Sequence, residues 1–213
     1  RRSSDYFQKI REICDKYNVL LAVDEVICGF GRTGRNFAVD HFGVVPDLMA
    51  VAKGMGSGYT AAGGVLVHRK IVQALEAGSG VLTHSFTYSG NPLMCATASA
   101  VLQYLQDNRL VERSAQMGAV FLKKLKELEE LPYVGQARGL GLMLGLEFVE
   151  DKADKRPFAN GFNFSAQLAA YCFQRGIVIT GGVLGAADGI LGDALQIAPP
   201  FIITEQEIDR VVD

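Results

Sequence analysis

The sequence predicts an α/β chain in two parts. Residues 1–107 read as part of a large, mainly parallel α/β domain, here incomplete, and residues 108–213 as a smaller α+β domain truncated at its end. Three observations carry this expectation. The run Val19 to Val23 is continuously apolar and of strand length, the pattern of a strand covered on both faces. A second such run, Leu48 to Ala52, follows it. Near Asp107-Asn108 the character changes, from a small-residue apolar helix to a long charged helix and then to short glycine-rich strands.

The elements follow in order. Asp5 to Lys16 has helical spacing, with Tyr6, Ile10, Ile13 and Tyr17 on one side and Ser3 or Ser4 as cap. A helix feeding the strand Val19 to Val23 is half of a βαβ unit, so a preceding strand is expected before Arg1. After the acidic pair Asp24-Glu25 comes Gly29-Phe30-Gly31-Arg32-Thr33-Gly34, which formally fits the dinucleotide fingerprint. That fingerprint needs a helix opening at the glycines, whereas helical character appears only in a short FAVDHF segment before Pro46. The acid expected further on is only loosely matched by Asp47, so coincidence is the preferred reading. Beyond Leu48 to Ala52 lie Lys53 and a second glycine cluster, then a strand at Gly63 to Val67 and a helix at Arg69 to Glu76. Asn91 and Pro92 suit the N-cap and first turn of a helix running to Gln106. The hydroxyl-rich stretch before it, Thr83 to Ser89, reads equally as an anion site or as a plain capped loop.

In the second part, Leu110 to Leu131 is a long amphipathic helix and Val134 to Val149 two short strands with a turn or bulge. Glu150 to Phe158 reads as a polar loop, Ser165 to Arg175 as a helix and Ile177 to Thr180 as a strand. A flexible loop from Gly181 to Gly192, a last strand at Leu195 to Ala198, and a T-x-x-E capping box at Thr204 and Glu207 complete the chain.

Composition narrows the function. Nearly half the 213 residues are apolar and the net charge is −2, which suits a globular protein and argues against nucleic acid as the main partner. No run is long enough for a membrane span, and the start lacks a signal-peptide core. Cys14, Cys28, Cys95 and Cys172 are scattered and read as reduced thiols of a cytoplasmic protein. The three histidines are too far apart in sequence to suggest a metal site.

Two buried strands that each run into a charged residue are costly unless the charges have partners or work. Ligands of open α/β sheets sit outside the carboxyl ends of the strands, so Asp24 and Lys53 are expected to face one crevice. A lysine amine and a carboxylate so placed suit pyridoxal 5'-phosphate, which needs an amine at its carbonyl carbon and an acid at its ring nitrogen.

The stretches DEVICGFGRTG, PD and AKGMGSG resemble the signature of class III aminotransferases, pyridoxal-phosphate enzymes of fold type I. FTYSGNP, ARGLGLMLGLEF and APPFIITEQEID are similar to further landmarks of that family, in the same order along essentially the whole chain. The resemblance implies that Lys53 holds the cofactor, that Asp24 pairs with its ring nitrogen, and that Val26 packs against the ring. It implies too that Thr87 reaches the cofactor phosphate of a neighbouring subunit, in a homodimer (or tetramer) with shared active sites. Ile27 stands where several relatives carry a glutamine for the phenolic oxygen, so that contact is expected from elsewhere or not at all. Gln196 stands where ornithine-type members carry the arginine that grips a substrate carboxylate, and Asp188 to Leu191 offers no arginine in its place. Arg138 remains as a cation in the second domain, either for this grip or as a structural residue. The implied reaction moves an amino group from an ω-amino acid or primary amine to a keto acid such as pyruvate. The alternatives are a mutase or decarboxylase on the same fold, a nicotinamide-dependent oxidoreductase resting on GFGRTG, or an inactive fragment. Family members carry a further half before the residue matching Arg1, so this portion alone is expected to be inactive.

Overall fold

The computed structural model describes residues 5–182, 185 and 191–213. The chain divides into two compact units, Arg1–Val111 and Glu112–Asp213.

The first unit begins with α1 (Tyr6–Lys16), held by Lys9–Asp5 and Arg11–Asp15 pairs at 2.7 Å, each one helical turn apart. Asp5 stands at its N-cap without a side-chain capping bond; Ser3 and Ser4 lie outside the described residues. The expected apolar face of α1 is not buried, with Ile13 and Tyr17 exposed. Phe7 makes the packing contact instead, its ring 4.7 Å from that of Phe42.

Strand β1 (Ala22–Asp24) is shorter than the apolar run that predicts it, because Val19 and Leu20 are exposed and only Leu21 is buried ahead of the strand. It runs parallel to β2 (Leu48–Val51), with Ala22 opposite Leu48 and Asp24 opposite Ala50. β2 pairs antiparallel with β3 (Gly64–Val67), giving the order β1-β2-β3. Val39, Met49 and Val51 form a small core, with Val23, Phe30, Phe37 and Met55 packed on it. α2 (Arg69–Ala77) and α3 (Pro92–Asp107) follow. α3 starts as its sequence predicts: Pro92 occupies the first turn, and the Asn91 side chain accepts the N–H of Met94 at 3.2 Å.

The second unit holds the larger core. α4 (Leu110–Glu127) opens at the boundary and buries Phe121 and Leu125. β4 (Val134–Leu140), β5 (Met143–Phe148) and β6 (Asp193–Ile197) form an antiparallel sheet in that order. β5 alternates as a half-buried strand should, with Leu144, Leu146 and Phe148 turned inward. The expected bulge lies between Val134 and Gln136. The expected strand at Ile177 to Thr180 is reduced to one bridge, Thr180 to Gln196. α5 (Phe164–Gln174) and α6 (Glu205–Val212) cover the core. The predicted capping box is present: Thr204 Oγ1 accepts the N–H of Glu207 at 3.3 Å, and the Glu207 carboxylate accepts the N–H of Thr204 at 2.8 Å. Most of the expected loop between Gly181 and Gly192 lies outside the described residues.

Candidate active site

β1 and β2 are adjacent and parallel, so their carboxyl ends open on one edge of the sheet. Asp24 ends β1 opposite Ala50, and Lys53 follows that partner by three residues. With strands about 4.8 Å apart and a rise of about 3.3 Å per residue, the two Cα atoms lie on the order of 10 Å apart. A flat ring of pyridine size, reached by the long Lys53 side chain and the short Asp24 one, fits that spacing.

Successive residues point to opposite faces, which explains the acidic pair. Glu25 turns inward, is 2 % exposed, and accepts the N–H groups of Ala38 at 3.0 Å and Val39 at 2.9 Å. Asp24 turns outward. Its Oδ1 accepts the N–H of Val26 at 2.9 Å, which orients the carboxylate; among the described residues no hydrogen bond is made to Oδ2. Val26 is half-buried and Ile27 exposed beside it. Cys28 lies within the field of both acids; burial, then the charges of Glu25 and Asp24, pushes its thiol pKa up.

Lys53 opens a single 3₁₀ turn, Lys53–Met55, with φ of 40°. A left-handed lysine costs about 1 kcal/mol. Its carbonyl offsets this by accepting the N–H groups of Gly56 at 3.1 Å and Ser57 at 2.9 Å. Among the described residues its ammonium has no ion-pair partner. The glycine after it lets two loops meet: a Cβ on Gly54 would stand 3.3 Å from the Cβ of Phe30 and 3.4 Å from the carbonyl oxygen of Gly29. The Gly29–Gly34 loop is therefore a brace under the lysine turn. No helix opens at its glycines; the chain runs through turns to a single 3₁₀ turn at Ala38–His41. The phosphate-binding geometry of a dinucleotide fold is not formed there.

Asp47, the loose match to the nucleotide-binding acid, is buried at the start of β2. It accepts the N–H of Leu21 at 2.7 Å and a bond from Arg11 at 2.9 Å, and pairs with Lys70. Its work is structural. Thr87 is exposed in the turn 87–90 ahead of α3, and no hydrogen bond joins it to Asp24 or Lys53 among the described residues. α3 itself packs against the Lys53–Met55 turn. Arg138 is committed to Glu147 and to Gln136, so it is not a free cation. Gln196 sits within β6 opposite Gly145, and Asp188, Gly189 and Ile190 lie outside the described residues. Sequence reasoning missed the inward role of Glu25; strand alternation through Asp24-Glu25 was the signal that separates the two acids.

The comparisons agree with this geometry. The family model described as Aminotransferase class-III matches residues 1–213. A putrescine–pyruvate aminotransferase of Pseudomonas aeruginosa is 38% identical over 208 residues, covering 97% of this chain and 43% of that protein. A solved transaminase from the marine bacterium Virgibacillus superposes with a TM-score of 0.92 at 36% identity, covering 99% of this chain and 47% of that one. An (S)-enantioselective omega-transaminase from Thermomicrobium roseum gives a TM-score of 0.89 at 42% identity, covering 98% and 45%. The chain belongs to the class III aminotransferase family, with the α/β fold of type I transaminases that its sequence predicts. It spans about half the length of the curated relatives it matches. Membership implies pyridoxal phosphate, and the residues present fit it: an amine and a carboxylate oxygen that have no partner among the described residues, the carboxylate oriented by the Val26 N–H, and loops brought close by glycine at the strand ends.

Proposed function

We propose that this chain supplies the lysine side of a transamination site, in an enzyme that passes an amino group from a primary amine or ω-amino acid to a keto acid such as pyruvate. One observation carries the reading: Asp24 and Lys53 leave the carboxyl ends of adjacent parallel strands, with Asp24 oriented and the Lys53 ammonium without an ion-pair partner among the described residues. When bound, pyridoxal 5'-phosphate supplies the electron sink that makes the substrate's carbon acidic.

Lys53 Nζ binds the cofactor and later takes and returns the proton at the substrate carbon. A positioned acid–base group of this kind contributes roughly 10²–10⁴ in rate. Asp24 holds the proton at the ring nitrogen, and its bond from the Val26 N–H fixes its direction. Val26 packs on the ring face, and Ile27 flanks it without the hydrogen bond that a glutamine would give. Thr87 serves the phosphate held by a neighbouring copy, in a homodimer or tetramer. Its exposure in one copy is consistent with such a reach. Gln196 in place of an arginine, with Arg138 engaged elsewhere, favours amine donors over α-amino acids. The Pseudomonas relative named for putrescine and pyruvate supports the same donor and acceptor classes. Cys14, Cys28, Cys95 and Cys172 are thiols and not disulfides, which supports a reducing, cytoplasmic setting.

The test uses the whole protein that contains this segment. Borohydride reduction should fix the cofactor to Lys53, and Lys53→Ala should abolish both that attachment and amine–pyruvate turnover. Asp24→Asn should keep the attachment while turnover falls by about 10² or more. Cofactor still fixed to the Lys53→Ala protein would overturn the assignment.

A further inference from the structure

Among the described residues, the Asp24 carboxylate is oriented by the Val26 N–H alone, at 2.9 Å from Oδ1. That donor belongs to the peptide between Glu25 and Val26. A peptide unit is planar, so whatever fixes this one also aims the N–H that holds the acid. The carbonyl of the same peptide, on Glu25, accepts the N–H of Gly29 at 2.9 Å. A Cβ on Gly29 would stand 2.8 Å from that oxygen, so the turn closes tightly on it.

Glu25 is held by its other two arms as well. Its own N–H donates to the carbonyl of Ala50 on β2 at 2.9 Å. Its carboxylate accepts the N–H groups of Ala38 and Val39, at the start of the Ala38–His41 turn, through separate oxygens. A buried carboxylate is costly unless so bonded, and bonds to a charged acceptor are about twice as strong as neutral ones. Glu25, 2 % exposed, is thus a stiff anchor, whereas its neighbour Asp24 is exposed on a short side chain with one local bond.

We propose that Glu25 is a positioning residue for the transamination site: its buried carboxylate fixes the Glu25–Val26 peptide, and through the Val26 N–H the direction of Asp24. This role rests on the transamination reading above. It divides the acidic pair into one acid that meets the ring nitrogen and one that holds the first in place. Displacing a reacting group by about 1 Å can cost about 10² in rate, so the anchor matters without touching the cofactor.

The whole protein that contains this segment, loaded with cofactor, tests it. Failure of borohydride to fix cofactor to Lys53 in the wild type would overturn the transamination reading and this role with it. With fixation intact, the remaining outcomes concern Glu25. Glu25→Gln keeps the size but sets an amide NH2 against one of the two N–H donors. It should lower kcat at least about tenfold and leave KM for the amine within about threefold. The pH at which the visible band of the bound cofactor changes should move in the same direction as in Asp24→Asn. The double variant should be no slower than Asp24→Asn alone, because both changes act on one acid. Should Glu25→Gln not fold, Ala38→Pro decides. It removes one donor to Glu25 at a first helical position, after Phe37 in the extended conformation that proline requires, and should shift kcat and the band the same way. Wild-type kcat and titration in the folded variant, or losses that multiply in the double variant, would overturn the role of Glu25 and leave the transamination reading standing.

Discussion

Asp47 is enclosed by two charges and a backbone donor: Arg11 on α1, Lys70 on α2 and the Leu21 N–H before β1. Burial pushes its carboxyl pKa up, but the bonds from Lys70, Leu21 and Arg11 outweigh this and hold it far below the usual carboxylate range. A depressed folded pKa means the stabilisation is complete above the unfolded pKa, about 4, and is lost as pH falls below it towards the folded value. Urea midpoints measured from neutral pH down through the acid range should therefore fall in the wild type below about pH 4. Asp47→Asn should lower stability at neutral pH by about 2 kcal/mol, because Arg11 and Lys70 lose the buried carboxylate they share and Arg11 keeps only the exposed Asp15 as its partner. The variant should show a flatter acid limb. An unchanged limb would mean that other carboxylates govern acid unfolding.

At the scale of elements, close approach and capping decide the architecture of the second unit. α4 crosses the turn between β4 and β5 at Gly118, where a Cβ would stand 2.1 Å from the carbonyl oxygen of Gly141. Backbone cannot move aside as a flexible side chain would. Gly118→Ala should cost more than the gain in helix propensity, a net loss of about 1–3 kcal/mol in urea unfolding. A neutral or stabilised variant would show that the helix shifts freely. Thr204→Ala should remove about 1 kcal/mol by breaking the capping box of α6, whose Ile208 is fully buried. Thr204→Ser should retain most of it.

These same elements show what could be read beforehand. Asn91-Pro92 and Thr204 to Glu207 were legible because capping is written in residues three or fewer apart. Val19-Leu20 and Ile177 to Thr180 were over-read, because an apolar run does not say which of its residues will find a strand to pair with. The acid and the amine of the candidate site were legible as interruptions at strand ends. Asp47 and Asp193 were not, since the backbone groups they serve lie 26 and 28 residues away and no local pattern announces them.

For the molecule as a whole, the two units differ in how well they cover their sheets. β5 turns one full face into the core of the second unit, whereas every residue of β3 is exposed. Val65 and Leu66 point to opposite faces and are 61% and 49% exposed, and Val67 and Val72 are exposed as well. Val81, Leu82, Phe86 and Tyr88 extend the exposed apolar set of this unit. Exposed apolar residues on an edge strand are a site of association. The 213-residue chain should therefore self-associate as its concentration rises, seen as a concentration-dependent sedimentation coefficient and as binding of a hydrophobic dye. Replacing Val65 and Val67 with threonine keeps strand preference and removes apolar surface from one face. That variant should sediment as a smaller species over the same range. Its unfolding midpoint should move by no more than about 0.5 kcal/mol, because the replaced side chains are exposed. A monomeric wild-type chain that ignores the dye would show that β3 is shielded by contacts this surface does not display.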